Sequence, residues 1–138
     1  MAAAHSLTVL LVDDHDDTRE VIGKVLRRHG HRVVTAGDFA GAVRAARCLH
    51  FDVLVADIGL PDRSGLELLA EVRVLYELPG IALSGFAMKQ DVDHALAAGY
   101  VCHLPKPVDL KTLLAAIAEA TRRPGPFPSP YLGPSASA

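Results

Sequence analysis

Five polar side chains stand at the ends of apolar runs, where a folded chain returns to its surface. Asp13 and Asp14 close the run VLLVDD, and Asp57 closes VLVAD. Ser84 follows IAL, and Lys106 follows a fourth run within HLPKP. Carboxylates packed together repel one another unless a cation lies between them. An octahedral divalent ion such as Mg2+, held by carboxylate, carbonyl and water oxygens, is the natural choice. A hydroxyl and an ammonium beside such a centre make an anion site suited to a phosphoryl group. Taken singly, each residue has a blander use. A lone strand-end aspartate more often caps a turn or a helix, Ser84 would be a turn residue, and Lys106 a solvated charge. The chemical reading stands only if the fold brings the five together.

The elements that would have to position them alternate along the chain. Residues 8–12, 32–35, 53–56, 81–83 and 101–104 read as strands. Most are continuous Val/Ile/Leu runs, as expected of strands buried on both faces. Helix-length segments fall between them. Residues 17–29 carry Val21, Ile22, Val25 and Leu26 on one face and stop at Gly30, and Asp38 caps an Ala-rich helix running to about Cys48. Ser64-Gly-Leu-Glu67 reads as a capping box ahead of inward-facing Leu66, Leu69 and Val72. Residues 89–98 end at Gly99. Asp109 caps the last helix, with Val108 and Leu113 placed for a hydrophobic staple. Five β-then-α units predict an α/β fold with a parallel five-stranded sheet. In a flavodoxin-like strand order, 2-1-3-4-5, the first and third strands are neighbours. Asp13, Asp14 and Asp57 would then meet in one crevice at the carboxyl edge of the sheet.

Composition sets the outer limits. The 138 residues are 50% hydrophobic and 22% charged, which suits one buried core. Lys and Arg number 14 against 16 Asp and Glu, so the chain lacks the basic surplus that direct nucleic-acid binding wants. Two cysteines, Cys48 and Cys102, are too few for a disulfide framework and suit a cytoplasmic chain. No apolar run approaches the ~20 residues of a membrane span, and Met1 to Ser6 read as a short small-residue leader without a signal peptide. From Pro124 the sequence PGPFPSPYLGPSASA has no periodicity. The expected organisation is therefore a folded unit over 7–122 and a Pro/Gly/Ser-rich tail or linker over 123–138. His5, His15, His29, His31, His50 and His94 show no metal-ligand spacing. His15, beside the acid pair, reads as a helix-entry residue.

The set Asp13-Asp14, Asp57 with Leu60-Pro61 and Gly65 after it, Ser84-Gly85 and Lys106-Pro107 resembles the receiver domains of bacterial response regulators. The resemblance runs from about Leu7 to Ala120. It implies that Asp57 accepts a phosphoryl group from the phosphohistidine of a sensor histidine kinase, with Mg2+ or Mn2+ bound at the site. Asp14 and Asp57 would be metal ligands, Asp13 would act through a metal-bound water, and the Gly59 backbone carbonyl would add another oxygen. Lys106 would pair with the acceptor and then with phosphoryl oxygens, while the Ser84 hydroxyl would move towards the new phosphoryl group. Pro107 would follow a cis peptide.

One position departs from the pattern. Three residues before Lys106, where the family usually carries Tyr or Phe, this chain has His103. Strand alternation places it on the face opposite Cys102 and Leu104, outward, where it would be a surrogate aromatic switch whose imidazole could make the output face pH-sensitive. VDDHDDTRE, ALSGF and HLPKPVDL look like receivers at the C-terminus of hybrid sensor histidine kinases. In that setting phosphate would pass on to a histidine phosphotransfer protein; the alternative is a stand-alone response regulator. The resemblance expects a phosphoacceptor switch rather than an enzyme and leaves a homodimer open. A haloacid-dehalogenase-like phosphohydrolase fits poorly, because there the nucleophile comes first and an acid follows two residues later, where this chain has Gly59. A flavodoxin-like cofactor binder fits less well still, since the acidic loop DDHDD replaces a phosphate-cradling Gly-rich turn.

Overall fold

The computed structural model describes residues 6–85 and 89–122. Phe86, the last residue of the ALSGF segment, and the expected tail over 123–138 lie outside the described residues. Among the described residues, strands β1 (Thr8–Val12), β2 (Arg32–Ala36), β3 (Val53–Asp57), β4 (Gly80–Ser84) and β5 (Cys102–Pro105) pair in parallel. They form one sheet in the order β2-β1-β3-β4-β5, the flavodoxin-like arrangement. Helices α1 (Asp16–Arg28), α2 (Phe39–Cys48), α3 (Leu68–Arg73), α4 (Lys89–Ala97) and α5 (Leu110–Thr121) connect and cover it.

Alternation along the strands feeds two separate cores. Val9, Leu11, Val53, Val55, Ile81 and Leu83 point to one face, where Ile22 and Leu26 of α1 and Leu113 and Ile117 of α5 cover them. Leu10, Val12, Leu54, Ala56 and Ala82 point to the other, against Phe39 and Ala42 of α2, Leu68 and Leu69 of α3 and Ala95 of α4. A sheet dry on both sides needs apolar residues at every position, which is why β3 and β4 lack a polar alternation.

Helix ends follow local rules with two exceptions. Asp16 and Asp17 open α1 and Arg27 and Arg28 close it, matching the helix dipole, and Gly30 follows at φ +88°. The Asp38 carboxylate accepts the Gly41 N–H at 2.7 Å and caps α2. The capping box expected at Ser64 and Glu67 does not form. Ser64 Oγ accepts from the Leu66 N–H in a tight turn, Glu67 pairs with Arg63 at 2.7 Å, and α3 begins only at Leu68. Asp109 stands at the start of α5, but its carboxylate takes the Thr112 hydroxyl rather than a backbone N–H.

Candidate functional site

The register of the sheet decides which side chains meet. Val12 of β1 pairs with Ala56 of β3, so Asp13 and Asp57, each one residue further on, emerge side by side. Asp57 is level with Leu83 of β4, and Ser84 of β4 with Pro105 of β5, so the Lys106 stem starts one residue beyond the level of Ser84 and two beyond that of Asp57. Asp13, Asp57 and Lys106 continue the alternation of Leu11, Val55 and Leu104, all on the α1–α5 side.

In this crevice Lys106 Nζ lies 2.7 Å from Asp57 Oδ2 and 2.8 Å from Asp13 Oδ2. Asp57 Oδ1 accepts the Gly59 N–H at 2.8 Å, and Asp13 Oδ1 accepts the His15 N–H at 2.8 Å. Asp13 and Asp57 are buried, at 0% and 4% exposure, whereas Asp14 and His15 open to solvent. Burial alone would lower the Lys106 pKa. Hydrogen bonds and charge from Asp13 and Asp57 outweigh it and hold the ammonium above its ordinary value. Ser84 is buried at the same edge, its backbone carbonyl accepting the Lys106 N–H at 2.8 Å. The Lys106–Pro107 peptide is cis.

The residues present fit a divalent cation. Three carboxylates face one ammonium, a net negative balance. Asp13 Oδ2 is enclosed, with the Lys106 ammonium 2.8 Å away as its counter-charge. Ligand atoms of Asp13, Asp14, His15 and Asp57 all lie within 4.8 Å of one another. An oxygen-rich, anionic cluster of this size suits Mg2+ or Mn2+.

The loop after β3 is tied down by contacts that sequence reasoning did not find. A Cβ at Gly65 would lie 2.1 Å from the Asp57 carbonyl oxygen, so the chain passes too close for any other residue. The buried Tyr100 hydroxyl donates to the Gly65 carbonyl at 2.6 Å. Asp62 accepts the Phe39 and Ala40 N–H groups at 2.8 and 3.0 Å, anchoring this loop to the start of α2. The Phe39 bond is the chief cause of a carboxyl pKa below its ordinary value, with burial opposing it. Arg19 donates to the Asp13 carbonyl at 2.7 Å and braces the first acidic loop. Tyr100 and Asp62 lie 35 and 23 residues from what they hold, so no local pattern announces them, whereas Arg19 reaches back only six.

His103 is half-buried rather than simply outward. Cys102 and Leu104 pack on the α1–α5 core, and His103 Nε2 is enclosed without a hydrogen-bond partner. His15 departs from its reading as a helix-entry residue alone. It does precede α1, yet its Nδ1 also lies 3.1 Å from Asp13 Oδ1, 3.3 Å from Asp14 Oδ1 and 3.4 Å from Lys106 Nζ.

Known proteins share this arrangement. The response regulator receiver domain family model matches residues 9–118. The transcriptional regulatory protein KdpE of Mycobacterium tuberculosis is 36% identical over 115 residues, 83% of this chain and 51% of KdpE. The sensor histidine kinase AruS of Pseudomonas aeruginosa is 35% identical over 123 residues, 86% of this chain but 12% of the kinase. Among solved structures, the receiver domain of Saccharomyces cerevisiae Ssk1, crystallised with the histidine phosphotransfer protein Ypd1, superimposes with a TM-score of 0.78 at 25% identity. That match covers 85% of this chain and 90% of the other. The chain thus spans about half the length of KdpE and a small part of AruS. With the five-stranded parallel sheet and the acidic crevice at its carboxyl edge, the chain belongs to the response regulator receiver domain family of two-component systems.

Proposed function

We propose that Asp57 accepts a phosphoryl group from a phosphohistidine and that the resulting aspartyl phosphate switches a docking surface. The observation that carries this reading is the pairing of Asp57 with Lys106 at 2.7 Å inside a buried anionic crevice. Lys106 and the Gly59 N–H each hold one carboxylate oxygen, which fixes the direction in which the nucleophile points. In the transfer, an Asp57 oxygen forms a bond to phosphorus as the phosphorus–nitrogen bond of the donor imidazole breaks. Such a step asks little covalent chemistry of the protein beyond alignment and charge neutralisation.

Asp14 and Asp57 directly, Asp13 through water, and the Gly59 carbonyl would hold Mg2+ or Mn2+, which neutralises developing negative charge when bound. Lys106 would pass from the carboxylate to the phosphoryl oxygens. The Ser84 hydroxyl would donate to one of them and draw its loop inward, with His103 on the next strand reporting the change.

The donor would approach across the groove beside Lys106. This cavity of about 240 Å3 is lined by Thr18, Val21 and Ile22 of α1 with Pro107, Val108 and Leu110. Val21 is 52% exposed there, an apolar foothold for a histidine-bearing helix. A sensor histidine kinase and a histidine phosphotransfer protein are the partners of matching chemistry, and the occurrence of a similar segment within AruS supports a hybrid-kinase setting. Intact-mass measurement after incubation with acetyl phosphate and Mg2+ tests the reading. One phosphoryl adduct, stable to acid, labile to base and abolished by EDTA, is expected. No adduct, with steady release of phosphate from the donor, would leave either very fast autodephosphorylation or a true phosphohydrolase, and would count against a lasting switch.

A further inference from the structure

We propose that His15 supplies a nitrogen ligand to the cation site of Asp13, Asp14 and Asp57, so that this site favours imidazole-accepting ions such as Ni2+, Co2+ and Zn2+ over Mg2+. The inference rests on the phosphoacceptor reading of the same crevice and adds a ligand to it. Adjacent ligands on an octahedral ion with bonds of about 2.1 Å stand about 3.0 Å apart. His15 Nδ1 is 3.3 Å from one oxygen of Asp14, a direct ligand in that reading and close to that edge length, and 3.1 Å from one oxygen of Asp13, which would act through a metal-bound water. The imidazole is therefore already at ligand spacing from the Asp14 carboxylate.

Its backbone keeps it there. The His15 N–H is bonded to Asp13 Oδ1, and its carbonyl accepts the Arg19 N–H at 3.0 Å in the first turn of α1. Only two side-chain torsions remain free. The side chain is 65% exposed, so an ion arriving from solution meets the imidazole before the buried carboxylates.

Two further features point to a cation. Asp13 Oδ2 is enclosed within the crevice, where the Lys106 ammonium at 2.8 Å stands in the place of a counter-charge. The Lys106 ammonium, a positive charge in the crevice, is met by Asp57 and Asp13 at 2.7 and 2.8 Å and by His15 Nδ1 at 3.4 Å. A positive charge between these groups already addresses the imidazole as well as the acids. Mg2+ prefers oxygen and releases its waters reluctantly, whereas imidazole raises affinity for later first-row ions. A His at this position should leave Mg2+ binding nearly unchanged and strengthen binding of the others. Such a site would let transition ions compete with Mg2+ in the phosphotransfer centre.

Bound Mn2+ provides a readout independent of phosphorylation. Electron spin-echo envelope modulation of Mn2+ on the full chain should show one directly coordinated imidazole nitrogen, absent in His15→Gln. Displacement of that Mn2+ by Ni2+ should require roughly tenfold more Ni2+ in His15→Gln, while displacement by Mg2+ shifts less than about threefold. Mn2+ bound through oxygen alone in the wild-type chain, or a nitrogen signal that survives His15→Gln, would overturn the proposal and leave the phosphoacceptor reading intact. No Mn2+ binding, or binding indifferent to both Asp14→Asn and Asp57→Asn, would overturn both.

Discussion

Replacing Lys106 by methionine keeps most of the side-chain volume and removes the ammonium that contacts the two buried carboxylates. Its contacts, at 2.7 Å to Asp57 and 2.8 Å to Asp13, would each amount to about 6 kcal/mol at an effective dielectric constant of ~20, before loss of hydration. Desolvation of the three groups cancels most of that. Breaking a buried ion pair by removing one partner costs about 3–5 kcal/mol, and an opening to solvent at Asp14 and His15 moves this site to or below the lower end. We expect Lys106→Met to lose about 2–3 kcal/mol in EDTA, or about 8–12 °C in the thermal midpoint of a domain this size. Circular dichroism at 222 nm would follow it. Mg2+ should then raise the midpoint of the variant more than that of the wild-type chain, because a bound cation replaces the missing counter-charge. A variant as stable as wild type in EDTA would refute the idea that Lys106 neutralises this crevice. An equal response of both chains to Mg2+ would refute the idea that ammonium and metal share the same carboxylates.

Three further perturbations address what holds the site and the sheet beneath it. Gly65→Ala places a Cβ against the Asp57 carbonyl, so it should displace the loop, cost about 2–4 kcal/mol in denaturant unfolding and reduce phosphoryl incorporation. Tyr100→Phe leaves the Gly65 carbonyl with the longer Leu68 N–H bond at 3.2 Å in place of the short phenol bond, and should cost about 1 kcal/mol by the same measurement, with the fold retained. His31 accepts the Leu7 N–H at 3.2 Å, and burial first, then the nearby His29, lowers its pKa below the ordinary 6.5. Protonation therefore favours the unfolded chain. The contribution is complete above about pH 6.5 and is lost as pH falls towards the lowered folded value. His31→Gln should flatten that part of the stability profile; an unchanged profile would show that His31 does not cause it.

Much of the site was legible because strand-end position is a local property. Once VLLVDD, VLVAD, IALS and HLPKP are strand endings in a 2-1-3-4-5 sheet, Asp13, Asp57, Ser84 and Lys106 must share one edge, and the register places them there. Strand ends moved by only a residue or so, since a dry sheet announces itself as an unbroken apolar run. Helix starts were harder. Ser64 and Glu67 have the types of a capping box, but Arg63 takes the Glu67 carboxylate and the close pass of Gly65 against β3 delays the helix to Leu68. Ligand spacing along the chain gave no sign of the approach of His15 to the acids, which is set by the turn into α1 rather than by a sequence interval. His103 shows the limit of strand alternation: it gave the face correctly, but not that the Nε2 tip is enclosed.

The central claim is that Asp57, rather than Asp13, Asp14 or a hydroxyl, takes the phosphoryl group. Borohydride reduces an aspartyl phosphate to homoserine, so phosphorylation with acetyl phosphate and Mg2+, reduction and peptide mapping locate the acceptor directly. Homoserine at position 57 alone, absent from the EDTA control, is the predicted result. Homoserine at 13 or 14, or an adduct of undiminished yield in Asp57→Asn, would contradict the account.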